Sequence, residues 1–140
     1  MSVESARFGS WKSPITSDEI VAGSIGISDI FLDGGSVHWL ETRPNEGGRS
    51  VLVREGGEGG HDDLVPAPWN LRTRVHEYGG GACQVTGGRV FATNFSDQRL
   101  YEMGFGAQPR ALTPEGPFRY ADVELDSARN RIICVREDHS

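Results

Sequence analysis

The feature that most constrains this chain is a recurrence: short apolar runs, joined by glycine-rich turns, return in groups of four about every 40–50 residues. Ile27-Ser28-Asp29-Ile30-Phe31-Leu32 ends at Asp33-Gly34-Gly35, and Ser36-Val37-His38-Trp39-Leu40-Glu41-Thr42 follows. Two such runs around Asp-Gly-Gly predict a β-hairpin, because glycine supplies the positive φ that tight hairpin turns require. Residues 50–55 predict a third strand and 62–65 a short fourth, closed by Pro66-Ala67-Pro68. The order then repeats with 82–86, the turn Gly87-Gly88, and 89–95, 99–103 and 109–113. Residues 120–126 and 131–137 begin it a third time. Aligned on the second strand, Val37, Val90 and Ile132 are equivalent, 53 and 42 residues apart. The fourth strands, Asp63-Leu64-Val65-Pro66 and Ala111-Leu112-Thr113-Pro114, lie 48 apart.

Four antiparallel strands per unit at this period is the pattern of a propeller blade. The expected fold is all-β: a partial β-propeller of about two four-stranded blades and the start of a third. Residues 1–26 form an N-terminal segment and 27–140 the partial propeller, with blades near 27–68, 79–116 and, incomplete, 117–140. A single sandwich or barrel without repeats is the competing reading, since the irregular connector 69–78 blurs the period. A propeller needs about 4–8 blades, so the chain is expected to be part of one. Val37 and Trp39, Val90 and Ala92, and Ile132 and Cys134 should lie on one face of the second strands and pack between blades. An unclosed array leaves such faces bare, so self-association through open edges is expected. One short helix is expected near 17–22. Thr16 and Glu19 form a capping box at its start, and Gly23 stops it.

Composition narrows the partners. The 140 residues carry 14 Lys and Arg against 20 Asp and Glu, a net charge of −6, and no basic run. A phosphate backbone has nothing to bind, so a nucleic-acid partner is not expected. No apolar run is long enough for a membrane span and no secretory signal is visible. Cys83 and Cys134 sit in apolar strand-like runs without metal spacing, so two buried, reduced thiols in a cytoplasmic protein are expected, with no cofactor.

Catalytic motifs are missing. No G-x-S-x-G elbow is present to hold a nucleophile, and His38, His61, His76 and His139 stand near no matching serine or cysteine motif. His61-Asp62-Asp63 gives no defined metal face and reads as a solvated loop tip. Asn94-Phe95-Ser96 matches a glycosylation sequon, which matters only in a secreted chain. The densest polar cluster runs from Asn70 to Gly81, ending in Gly79-Gly80-Gly81. As an inter-blade connection it either grips the end of a substrate or ties neighbouring blades by ion pairs. Arg74, His76, Glu77 and Tyr78 are the candidate substrate-binding residues. Arg74 and Glu77 are spaced to pair locally.

The run Arg72-Thr73-Arg74-Val75-His76-Glu77-Tyr78-Gly79-Gly80-Gly81 resembles a propeller signature of the prolyl oligopeptidase family, in its dipeptidyl aminopeptidase/acylaminoacyl peptidase branch. So do Gly9-Ser10-Trp11-Lys12-Ser13-Pro14-Ile15-Thr16, Leu112-Thr113-Pro114-Glu115-Gly116 with Tyr120-Ala121-Asp122, and Arg136-Glu137-Asp138-His139. The resemblance implies a propeller that caps an α/β-hydrolase domain, filters peptides by size and helps hold the peptide's end. It also implies a serine-peptidase triad outside these residues, so no catalytic residue is carried over. The implied partners are that missing hydrolase domain, the remaining blades and a short peptide substrate. A stand-alone β-repeat binding module without enzymatic activity is the alternative.

Overall fold

The structure, a computed structural model, describes residues 5, 7–10, 12–21, 23–104 and 106–140. Trp11 of the N-terminal motif and Ala22 of the expected helix lie outside them. Strands β1 (Gly26–Asp33), β2 (Ser36–Arg43), β3 (Arg49–Glu55) and β4 (His61–Asp63) form one antiparallel sheet in chain order. Strands β5 (Cys83–Thr86), β6 (Arg89–Thr93), β7 (Leu100–Gly104) and β8 (Arg110–Ala111) form a second sheet of the same order. Strands β9 (Phe118–Asp126) and β10 (Arg131–Asp138) make a hairpin. The first strands lie side by side, β1 against β5 and β5 against β9. This is a partial β-propeller.

The register shows why the sequence repeats. Leu32 faces Val37, Val85 faces Val90, and Leu125 faces Ile132, so the three second strands start in the same place. Blades 1 and 3 share a further device. Both first strands carry a bulge, with Asp29 (φ 47°) and Asp122 (φ 54°) in the left-handed region that Asp tolerates better than most residues.

Each pair of sheets encloses a core. Leu40 and Leu52 of blade 1 pack with Val65 and Leu71 against Cys83, Val85, Val90 and Ala92 of blade 2. On the other side of blade 2, Phe91 and Leu100 meet Tyr120 and Val123 of blade 3, flanked by Ile132 and Cys134. The expected face is therefore the one turned to the preceding blade, which we call the leading face. In blade 1 no further sheet stands in front of it among the described residues. Val37 and Trp39 are only half-buried, while Val51 and Val53, on the same face, are fully buried. Polar latches join the sheets as well. The amides of Gly87 and Gly88 both donate to the Asp33 carboxylate at 2.7 Å, holding its pKa below the usual range. The Thr93 hydroxyl donates to Tyr120 O at 2.9 Å inside the second interface.

Helix α1 spans Ser17–Val21. Its capping box is complete: Thr16 N donates to Glu19 Oε2 at 2.7 Å and Glu19 N to Thr16 Oγ1 at 3.1 Å. Other expectations need correction. His61–Asp63 is a strand and not a loop tip, because it pairs with β3, but all three residues stay exposed, with Asp62 and Asp63 bridged to Arg54 and Arg43. Cys83 is buried and burial raises its thiol pKa, but Cys134, in a two-stranded sheet at the margin of the second core, is only half-buried. Asn94 is also buried, its amide donating to Ser96 Oγ at 2.8 Å, so the sequon residues serve a turn.

Candidate functional site

Residues 64–82 carry the chain from β4 to the first strand of blade 2, and this connector holds the candidate site. It is threaded between sheets by backbone bonds: Leu71 N to Ser50 O at 2.9 Å, Arg72 N to Thr93 O at 3.2 Å, and Phe95 N to Asn70 O at 2.8 Å. Side chains alternate along it as in a strand. Leu71, Thr73 and Val75 are buried, while Arg72, Arg74 and His76 face solvent. The alternation is visible in the sequence and could have marked the run as extended.

The connector then turns sharply. Glu77 N donates to Arg74 O at 3.0 Å and Gly79 N to Val75 O at 2.8 Å. His76 (φ 58°) and Glu77 (φ 64°) are both left-handed, a conformation that costs a non-glycine residue roughly 1–3 kcal/mol when held. Blade 3 holds it. His76 N donates to Glu137 Oε1 at 2.8 Å, and Arg119 Nη1 bridges Glu77 Oε1 at 2.7 Å and Arg74 O at 2.9 Å. The His76 amide, then His139 at 3.1 Å, keep the Glu137 carboxyl below the usual carboxylate range. The glycines are needed for close approach. A Cβ on Gly81 would lie 2.9 Å from Asp122 Oδ1, which already accepts the Gly81 amide at 2.7 Å.

The structure therefore brings His76, Glu77 and Tyr78 onto one turn, with Tyr78 89% exposed. Arg74 is not in that group. The expected Arg74–Glu77 pair does not form, because Glu77 takes Arg119 and the Arg74 guanidinium lies over Phe95, 4.5 Å from the ring centroid. Arg119, Glu137 and Phe95 were not among the candidates. Only Glu137 had a signal, since it stands in one of the resembling runs. Two of the other resembling runs reach the connector: Asp122 accepts the Gly81 amide and Glu137 the His76 amide, with His139 in turn on Glu137. Beside the connector, a cleft of about 320 Å³ is lined by Asp29, Arg72, Thr73, Tyr78 and Gly79.

Chemically this assembly offers guanidinium, carboxylate, imidazole and phenol groups but no serine or cysteine on the connector. Among the described residues no cluster of His, Cys, Asp or Glu is arranged to hold a metal ion.

Comparison with solved structures places this geometry. A Mycobacterium tuberculosis puromycin-hydrolyzing peptidase superposes with a TM-score of 0.81 at 38% identity, over 94% of this chain and 21% of its own. A crystal structure of puromycin hydrolase superposes with a TM-score of 0.76 at 36% identity, over 93% of this chain and 22% of its own. A mutant of puromycin hydrolase complexed with PGG matches equally well. The chain belongs to the prolyl oligopeptidase family. It corresponds to propeller in that family and spans about a fifth of the length of the solved peptidases it matches. No family model and no curated protein sequence matches it. Among the described residues no helix is long and apolar enough to cross a membrane.

Proposed function

We propose that this chain is the non-catalytic propeller segment of a cytoplasmic serine peptidase acting on short peptides, and that it caps and filters access to an α/β-hydrolase domain. One observation carries the reading: the chain is 36–38% identical to puromycin-hydrolysing peptidases over 93–94% of its length while spanning only 21–22% of theirs. The dipeptidyl aminopeptidase or acylaminoacyl peptidase type of cleavage is part of the proposal and rests on the resembling runs. The cytoplasmic assignment draws on two free thiols, one deeply buried. His76, Glu77 and Tyr78, with Arg74 beside them, are proposed to contact the peptide's end. Support comes from a left-handed turn held under strain and an exposed tyrosine, features that gather at binding sites.

The test compares the 140-residue chain with the complete reading frame that contains it. Both are assayed on aminoacyl and acyl-aminoacyl chromogenic substrates and on puromycin, and both are labelled with a fluorophosphonate. The longer product should hydrolyse and label, and the 140-residue chain should do neither. Covalent labelling of the pure short chain, or a reading frame without a downstream G-x-S-x-G, overturns the proposal.

A further inference from the structure

Arg72 and Arg74 differ from the arginines around them. Arg43, Arg49, Arg89, Arg99 and Arg119 each face a carboxylate. Among the described residues, Arg72 and Arg74 have no ion pair. Instead their guanidinium carbons lie 5.1 and 4.5 Å from the ring centroid of Phe95. Acidic side chains near the connector bond elsewhere: the Asp97 carboxylate accepts from the Tyr101 hydroxyl at 2.6 Å and from Arg99 N at 3.2 Å, and Glu77 pairs with Arg119. Asp29 lines the same cleft as Arg72 without forming an ion pair with it.

Both groups are also pre-positioned. The residues lie two apart on the exposed edge of the extended connector, anchored by buried Leu71, Thr73 and Val75. Arg74 N donates to Gln98 Oε1 at 2.7 Å, and Phe95 is fixed from behind through its amide to Asn70 O. A guanidinium lying over an aromatic ring gains cation–π energy while its N–H edge stays free. That planar fork matches a carboxylate in two-point geometry, and little side-chain entropy remains to be lost.

We propose that Arg72 and Arg74, stacked on Phe95, form a carboxylate-binding site that takes a carboxylate of a short peptide. The choice of a peptide rests on the proposed function above; the anion site rests on the geometry.

Calorimetric titration of the chain at low ionic strength, where exposed charges are least screened, tests this with triglycine, triglycine amide and inorganic phosphate. Triglycine should bind, and its amide should bind at least about tenfold more weakly, or ~1.4 kcal/mol. The double variant Arg72→Gln/Arg74→Gln should lose that preference. Phe95→Leu, which keeps both charges and removes their platform, should fall between. Each variant is qualified by a far-ultraviolet spectrum matching the parent, and the single variants Arg72→Gln and Arg74→Gln, each expected to weaken the preference, replace the pair if that pair does not fold. Equal binding of triglycine and its amide, or a preference that survives in the double variant, overturns the carboxylate site while peptide contact stands. Phosphate binding without triglycine binding overturns the peptide as its source. Binding of none of the three overturns both this site and the peptide-contact reading.

Discussion

The leading faces of blade 1 and blade 3 are built alike and meet different fates. Ile30 and Val123 follow the same aspartate in the same bulge, yet Ile30 is 69% exposed and Val123 3%. Leu32 and Val85 hold equivalent places in blades 1 and 2, at 79% and 4%. The sequence places an apolar side chain at each position, so amphipathic patterning is the same. At these first-strand positions burial follows whether another sheet stands in front, whereas Val51 and Val53 of β3, on the same face of blade 1, are fully buried without one. A propeller blade is thus a unit whose stability lies largely in its neighbours. At about 25 cal/mol per Å² of apolar surface, each uncovered side chain forgoes a sizeable part of what its counterpart contributes.

The comparison can be broken most directly by charge. Val123→Asp buries an unpaired carboxylate and should cost more than about 4 kcal/mol, enough to unfold a marginal domain. Ile30→Asp, at the equivalent place, should stay within about 0.5 kcal/mol. Urea denaturation of the two variants checks this, and similar losses would mean that the face of blade 1 is already covered.

A second effect concerns the solution state. The bare face should make the chain self-associate with rising concentration, and Ile30→Asp/Leu32→Asp should shift it towards monomer in light scattering. A monodisperse parent that melts cooperatively above about 60 °C would contradict this.

The smallest effect sharpens the contrast between polar latches. The Gly87-Gly88 turn of blade 2 is clamped by Asp33 of blade 1, whereas Asp126, at the same place in blade 3, turns back to Arg129 and Arg131 of its own hairpin. The amides depress the Asp33 pKa in the folded state. Its contribution is therefore present above the unfolded value near ~3.9 and is lost as pH falls through the lower folded value. Asp33→Asn should lower the urea midpoint at neutral pH, and the gap from the parent should close in acid. A gap that persists unchanged at low pH would rule out the carboxylate latch.

Most of the architecture was legible because it is local. Period-two alternation, Asp-Gly-Gly and Gly-Gly turns and the Thr16–Glu19 capping box act over a few residues, and all reappear in the structure. The strand alignment on Val37, Val90 and Ile132 survived for the same reason, since turn and register are set within each hairpin. The connector was legible as a polar cluster and only in part as a site. His76, Glu77 and Tyr78 do share a turn, but the pairing of Arg74 with Glu77 followed from spacing and failed. Arg119, 42 residues from Glu77, reaches it first.

What the sequence determined by itself is the set of strands, their faces and their order, because side-chain alternation and turn chemistry need no distant partner. Only the tertiary structure decided which faces are buried, which arginines are neutralised and which are left over Phe95. Those outcomes depend on residues tens of positions apart meeting across a blade interface, and no short-range pattern encodes that distance.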